Sequence, residues 1–503
     1  MIITGYLNKT AVTHGNKAAF VDDTRQLTFS ELQQEAYHIA SVLLENNITR
    51  KPVAIFMDKE VACISAFYGV AYSGNFYTVI DVEMPDQRID KILMSFKPAA
   101  ILTTDRHYEH VKSLCGENSL VIRYENCMRN AIYAENIATV ENRIIDTDVA
   151  YVLYTSGSTG IPKGVIISHG SLSDFIDWAV ERFSMDDSYV WGNQTPLYFS
   201  MSVLDVYATV KTGACMCIIP QKCFKVPKYL MEFLIHHNVN TLYWVPSALV
   251  FPVALGALKQ TPPVELKNIF FSGEVMPVKY LNKWMEKYPN ARYVNFYGPT
   301  EVTDTCTVYE VNRKFESKET LPIGQPCKNM EVFLLDEQDK LVNCEGKVGE
   351  VCVRGTGIAS GYYNAPEKTA EVFVQNPLND AYPETIYRTG DLAQWNEYGE
   401  LVYLSRKDYQ IKHMGRRIEL GEIETALLSL EEIVSGCCLY DVKKSCIILV
   451  YKGDLTEKEL RNRLLKLLPE YMIPNKWHQV VAMPLNLNGK VDRQKLKELY
   501  LSK

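Results

Sequence analysis

The sequence predicts a multidomain α/β and α+β protein: a large N-terminal domain of two βα sheet lobes and a β-rich lobe, then a small C-terminal α+β domain. Three observations predict it. At 503 residues the chain is too long for one hydrophobic core. Two series of short β-rich runs alternate with helical patterns, the signature of parallel sheets wrapped by helices. Beyond Leu321 the pattern turns into short strands separated by Gly, Asn and Asp turns.

The first series runs from Val53 to about Ile167: PVAIFMD, the helical ACISAFYGVAYSG, FYTVID, a polar amphipathic stretch and AAILTT. The second series holds ACMCIIP, a helix near 226–236, TLYWVP and NIFFSGE, and predicts a second sheet. MEVFLLDE, KVGEVCVRG and GELVYLSRK make the β-rich lobe. RRIELGEIETALLSL reads as helical, and CIILVY with a final helix-strand-helix series completes the terminal domain. The division predicted is 1–407 and 408–503, with a short joint because no Pro- or Ser-rich linker intervenes.

Composition narrows the function. A net charge of −7 without any basic run gives no nucleic-acid footprint. Thirteen scattered cysteines with no C-x-x-C pair fit unpaired thiols in a reducing, cytoplasmic setting. His236 and His237 lack ligand spacing for zinc. There is neither a secretory leader pattern nor an 18-residue apolar run, so no export and no membrane span are expected.

The sharpest local signal is Thr155-Ser156-Gly157-Ser158-Thr159-Gly160-Ile161-Pro162-Lys163-Gly164, directly after the strand-like DVAYVLY. Its glycines allow a tight turn that presents N–H groups, while four hydroxyls and one ammonium add donors for a polyphosphate. A Walker A loop opens straight into a helix. Here Pro162 precedes the lysine and the β-branched Val165-Ile166-Ile167 follows, so the loop is predicted to join two strands.

That string resembles the signature of the adenylate-forming superfamily, whose other motifs follow in the family's order over nearly the whole chain. Leu27 to Leu32 and Ser73 to Asp81 resemble its first two motifs, both expected to serve packing. Asn295-Phe296-Tyr297-Gly298-Pro299-Thr300-Glu301 resembles the segment whose ring flanks adenine and whose glutamate holds Mg²⁺. Tyr387-Arg388-Thr389-Gly390-Asp391 resembles the segment whose aspartate accepts the ribose hydroxyls. Arg406 to Lys412 resembles the hinge, with Asp408 the pivot, and Asn488-Gly489-Lys490 the motif carrying the catalytic lysine. The resemblance thus implies an ATP- and Mg²⁺-dependent enzyme with Lys490 and Glu301 as its catalytic pair. It further implies an ATP site of Thr155, Ser156, Gly157, Ser158, Thr159, Lys163, Asn295, Tyr297, Thr300, Asp391 and Arg406, and a mobile small domain.

The acid pocket implied is Phe199, Ser200, Leu204, Ser272, Gly273 and Asp304. Phe199-Ser200-Met201-Ser202 departs from the family's F-D-x-S, where the aspartate pairs with the substrate's α-ammonium. Asp304 matches a pocket position that is usually apolar, and is expected either to carry the displaced counter-charge or to be solvated or backbone-bound. Ser272 suggests a small or medium side chain. The wording Gly273 to Pro277 is similar to D-alanine carrier-protein ligases and to free-standing peptide-synthetase adenylation enzymes. Since only thirteen residues follow Lys490, the thiol acceptor is expected on a separate phosphopantetheinylated carrier protein. The expected activity is ATP-dependent activation of a small amino or other carboxylic acid as acyl-AMP, followed by transfer to that thiol. An acyl- or aryl-CoA ligase is the alternative within the class, and a non-catalytic nucleotide-binding homologue the alternative outside it.

Overall fold

A computed structural model describes residues 2–115, 119–157, 161–260, 265–316, 319–407, 410–484 and 491–501. The chain divides into two compact units, one of Met1–Val82, Phe96–Tyr154 and Gly164–Ser405, the other of Glu83–Ser95, Thr155–Lys163 and Arg406–Lys503.

The first unit contains the two predicted βα sheets. One has six strands in the order Leu120–Arg123, Ala100–Thr103, Pro52–Phe56, Phe76–Ile80, Val149–Thr155, Lys163–Ser168. Its first five strands run parallel, with Tyr77 opposite Tyr151. The run ACISAFYGVAY forms the helix Val61–Tyr72, buried along its whole length. A helix apolar all round needs such burial, and it packs on the strands Pro52–Phe56 and Phe76–Ile80 and against the helix Phe29–Glu45. LTFSEL opens the helix Phe29–Glu45 through a capping box of Thr28 and Glu31, and buries Leu27, Phe29 and Leu32.

The second sheet has nine strands, with Arg292–Tyr297, Asn268–Phe271, Thr241–Trp244, Val190–Asn193, Cys215–Ile218 and Ala18–Val21 side by side and parallel. Antiparallel strands flank this set at both ends. The chain passes from Val190–Asn193 to Cys215–Ile218 on one side and then resumes at Thr241–Trp244 on the other. That reversal leaves a crevice outside the carboxyl ends of the strands, where open α/β sheets bind their ligands. Ala18–Val21 and Gln26–Thr28 were not foreseen as members of this sheet. They precede the first series in sequence, and pattern alone cannot say which sheet a strand joins.

The β-rich lobe is an antiparallel sheet of Met330–Leu335, Val348–Gly355, Thr385–Trp395 and Phe373–Gln375, with Leu401–Arg406 beside Thr385–Trp395.

In the second unit Gln410–His413 and Arg416–Glu419 form a hairpin, followed by the helix Leu420–Leu428 and a three-stranded sheet of Ile433–Asp441, Cys446–Gly453 and Lys476–Gln479. The run RRIELGEIETALLSL is therefore only partly helical: its first four residues are a strand. The hairpin turns at Met414 and Gly415, both at positive φ, which twists the strands the way a two-residue loop demands. Met-Gly is not a turn signal that a sequence reading recognises. Arg88, on the helix Asp86–Phe96, makes a buried ion pair with Glu422. All thirteen cysteines are free thiols, and no described helix is long and apolar enough to cross a membrane.

One buried group gives this fold a pH dependence. His169, at the start of the helix His169–Phe183, is 2% exposed and its Nδ1 has no hydrogen-bond partner among the described residues. Burial pushes its pKa down to about 4, against 6.5 for a solvated imidazole. The unfolded chain therefore takes up a proton that the folded chain refuses. Stability present above pH 6.5 is lost as the pH falls toward 4, by about 3 kcal/mol in all. Urea midpoints measured from pH 7 to pH 4 should show this decline, and His169→Gln should flatten it. An equal slope in the variant would mean that His169 is not its source.

Candidate active site

The strand Arg292–Tyr297 delivers two of the expected nucleotide residues. Asn295 donates its side-chain amide to the Pro322 carbonyl at 2.9 Å. Tyr297 is buried and donates its hydroxyl to Asp391 Oδ2 at 2.6 Å. Burial and the Asp391 carboxylate together hold the Tyr297 phenol well above its ordinary pKa, so it stays a donor. Asp391 is 1% exposed and lies on the strand Thr385–Trp395, where its backbone N–H meets Thr389 Oγ1 at 3.0 Å.

After Tyr297 the chain turns sharply. A Cβ at Gly298 would collide with the carbonyl oxygen of Asp304, so only glycine fits there. Thr300–Val302 forms one 3₁₀ turn, and Thr303 and Asp304 leave it at φ of 55° and 80°. This left-handed backbone is uncommon for residues with a side chain. Within the turn, Thr300 Oγ1 lies 3.4 Å from Ser200 Oγ, which links the nucleotide-type segment to the acid pocket. Glu301 is fully buried and accepts the Tyr362 hydroxyl at 2.7 Å. Tyr362 is fixed in turn because its segment is laced to the strand that leaves the glycine-rich loop: Tyr363 N–H donates to Gly164 O at 2.7 Å and Ile166 N–H to Gly361 O at 3.0 Å.

No group of three or more His, Cys, Asp or Glu suited to a metal occurs among the described residues. A lone carboxylate such as Glu301 is nevertheless the donor set that Mg²⁺ takes when substrate phosphates and waters complete its six ligands. The residues fit a metal brought in with a polyphosphate.

The residues expected in the acid pocket lie at the carboxyl ends of strands of the nine-stranded sheet. Ser272 follows the strand Asn268–Phe271 and is 2% exposed. Gly273 beside it sits at φ 91°. Leu204 is buried on the helix Ser202–Thr212, while Phe199 and Ser200 are half-buried before it. Asp304 is 2% exposed and accepts the Tyr243 hydroxyl at 2.8 Å and the Thr305 hydroxyl at 3.3 Å. It is thus neither solvated nor merely backbone-bound: the side chain of Tyr243, on the strand Thr241–Trp244, holds it.

Sequence reasoning passed over the groups behind this wall. Asp205 is 1% exposed and accepts Asn193 Nδ2 at 2.6 Å, while its Oδ1 has no partner among the described residues. Lys59 is half-buried and donates to the carbonyls of Asn193 and Gln194 at 3.1 and 3.0 Å. Burial drives its pKa down to about 7, against the pull of Asp205. Burial likewise pushes Asp205 up to about 7, with Asn193 and Lys59 opposing and Asp304 adding to the rise. Nothing in the spacing signals that Lys59 and Asp205 each bond to Asn193, or that Tyr243 bonds to Asp304.

In the second unit, Ser156 is buried and donates its hydroxyl to Arg417 O at 2.8 Å, and Thr155 Oγ1 lies 3.5 Å from Lys163 O. Lys163 Nζ stands 3.9 Å from Glu419 Oε1. A Cβ at Gly157 would strike the Ile161 carbonyl oxygen, so the turn needs glycine there. The strand Val149–Thr155 enters the loop and Lys163–Ser168 leaves it, as predicted from Pro162 and the β-branched run. Arg406 ends the strand Leu401–Arg406 and is half-buried. Ser158, Thr159, the pivot Asp408 and Lys490 lie outside the described residues.

Comparison with known proteins agrees with this geometry. The profile of the AMP-binding enzyme family matches residues 7–363. The chain is 31% identical over 489 residues to tyrocidine synthase 1 of Brevibacillus parabrevis, covering 96% of this chain and 44% of that protein. It is 32% identical over 486 residues to gramicidin S synthase 2 of Aneurinibacillus migulanus, covering 95% and 11%. It thus spans less than half the length of these two synthetases. Zwittermicin A synthase ZmaJ of Bacillus cereus is 31% identical over 495 residues, covering 96% of this chain and 92% of that protein. Among solved structures, the Vibrio cholerae adenylation domain AlmE in complex with glycyl-adenosine-5'-phosphate superposes with a TM-score of 0.85 at 21% identity, covering 99% and 97%. An artificially fused adenylation–PCP di-domain from Klebsiella oxytoca gives 0.82 at 21% identity, covering 95% and 93%. At that identity the likeness speaks for the fold.

The Tyr362–Glu301 bond predicts a measurable loss. Tyr362→Phe removes a hydroxyl donor from a fully buried carboxylate, which is expected to cost about 1–3 kcal/mol of stability. Thermal unfolding of the variant beside wild type reads this directly, and an unchanged midpoint would show that the bond adds no net stability.

Proposed function

Because the chain belongs to the AMP-binding enzyme family, the adenylate-forming superfamily of ATP-dependent ligases, we propose that it activates a small amino acid as acyl-AMP and passes it to the thiol of a carrier protein. One observation carries the reading. The segment Tyr297–Asp304 touches Asp391 at one end, holds the buried Glu301 at its centre, and meets Ser200 and Tyr243 at its acid-pocket side. A single turn thereby offers acceptors suited to a ribose and a metal beside the residues expected to receive the acid.

In the proposed reaction an oxygen of the substrate carboxylate attacks the α-phosphorus of ATP. The new acyl–phosphate bond forms as the bond to the β-phosphate oxygen breaks, and pyrophosphate leaves. Carboxylate and phosphate are both anions, so the protein's work is positioning and placed positive charge. Asp391, oriented by the Tyr297 hydroxyl, accepts the ribose hydroxyls. Glu301 would hold Mg²⁺, which when bound offsets charge on the phosphate oxygens. Ser156 and Lys163 supply phosphate donors, and Lys490 is the residue we assign to supply an ammonium to the reacting groups. In the second step a thiolate attacks the acyl carbon and AMP departs. The much longer synthetases among the relatives, and a structural neighbour described as an NRPS protein with adenylation and PCP domains, support a carrier as acceptor. Free CoA is the competing acceptor.

ATP–pyrophosphate exchange across a panel of carboxylic and amino acids tests the reading. Exchange dependent on one class of acid is expected, and no exchange with any acid would overturn it. Lys490→Ala should reduce exchange at least about a hundredfold, yet largely spare transfer from supplied acyl-adenylate to holo-carrier. Equal loss of both steps would refute the role given to Lys490. Better transfer to CoA than to holo-carrier would refute the carrier.

A further inference from the structure

In the second unit one half-buried ion pair ties separate parts of the chain together. Glu424 lies on the helix Leu420–Leu428, and both oxygens of its carboxylate accept from the guanidinium of Arg493, which opens the helix Arg493–Tyr500. The same carboxylate accepts the Cys438 backbone N–H at 2.7 Å, and the same guanidinium donates to the Cys438 carbonyl at 2.9 Å. The pair thus grips one residue of the strand Ile433–Asp441 by both its backbone groups. An ion pair out of water adds little net stability where apolar packing would serve as well, but a guanidinium held by a carboxylate fixes distance and direction.

What this pair fixes is the chain that precedes Arg493. Asp492 caps the helix, its side chain accepting the Lys495 N–H at 3.0 Å, and it donates its own N–H to the Pro484 carbonyl at 2.8 Å. Met483 and Val491 pack on one apolar cluster that includes Cys437, Ile448 and Leu496. The chain on either side of residues 485–490 is therefore anchored to a single core, and Arg493 is the charged member of the anchor. Lys490 adjoins Val491 in the sequence.

We infer that Glu424, acting through Arg493, is a positioning residue for Lys490 in adenylate formation. The inference rests on the role assigned to Lys490 under the proposed function. A lysine carries its charge on a flexible four-carbon stem, so the point at which that stem leaves the backbone has to be fixed by its surroundings. An error of about 1 Å in a positioned group costs on the order of a hundredfold in rate. Thiol transfer does not call on Lys490 in this scheme, and is indifferent to the anchor.

Pyrophosphate exchange, and thiol transfer from supplied acyl-adenylate, measured on the full chain, test the inference. Glu424→Gln keeps the size of the side chain and removes the charge that holds Arg493. It is expected to lower kcat for exchange at least about tenfold, with KM for ATP and acid changed less, and to leave transfer near the wild-type rate. Arg493→Lys keeps the charge but loses the planar fork, and should act in the same direction, which supplies a second variant should Glu424→Gln fold poorly. In a Lys490→Ala background Glu424→Gln should cost nothing further in exchange, because residues that act as a unit are not additive. Unchanged exchange in both variants, equal loss of exchange and transfer, or a full further loss on top of Lys490→Ala would overturn the inference and leave the adenylation reading standing. Wild-type exchange by Lys490→Ala alone would remove the role of Lys490 and this inference with it.

Discussion

Three buried carboxylates, each held by a tyrosine hydroxyl, set the geometry of this protein's first unit. Asp391 takes the hydroxyl of Tyr297, Glu301 that of Tyr362 and Asp304 that of Tyr243, at 2.6, 2.7 and 2.8 Å. A carboxylate out of water survives only with donors in place, and a phenol is a good donor to bury because its ring packs while its hydroxyl points. Every one of the three pairs has a member on the segment Tyr297–Asp304. The turn cannot shift without disturbing all of them.

That shared dependence explains why the turn tolerates an unfavourable backbone. Thr303 and Asp304 both sit at positive φ, and Gly298 packs against the carbonyl of Asp304 with no room for a side chain. Strain of this kind persists where surrounding contacts over-determine the conformation. Here the contacts come from three directions: Asp391 on the β-rich lobe, Tyr362 on the segment laced to the strand Lys163–Ser168, and Tyr243 on the nine-stranded sheet. Acceptors fixed in this way need no reorganisation when charge arrives, which is what electrostatic catalysis asks of them.

Much of the fold was legible because hydrophobic alternation and loop chemistry are local. Pro162 and Val165-Ile166-Ile167 were enough to place the glycine-rich loop between two strands, and the mostly apolar Val61–Tyr72 read as a helix between two strands. The strand Arg416–Glu419 was missed because a Met414-Gly415 turn carries no recognisable signal. At the site, motif order pointed to Glu301, Tyr297, Asp391 and Asp304 as individuals. Their partners Tyr362 and Tyr243 were invisible, since each arrives from a distant part of the chain. Asn295, read as a nucleotide contact, also donates its amide to the Pro322 carbonyl.

Under the proposed function, this segment keeps chemistry and selectivity apart within eight residues. Tyr297 precedes the 3₁₀ turn, Thr300 and Glu301 lie in it, and Asp304 follows it as the second of two left-handed residues. A change of side chain at 304 leaves the acceptors at 297–301 in place, because those are pinned by Asp391 and Tyr362 rather than by Tyr243. The converse does not hold. Loss of the glycine at 298 would push against the Asp304 carbonyl and disturb both sides at once. Selectivity in such an arrangement is free to vary one side chain at a time, while the reacting centre is fixed by the backbone that both share.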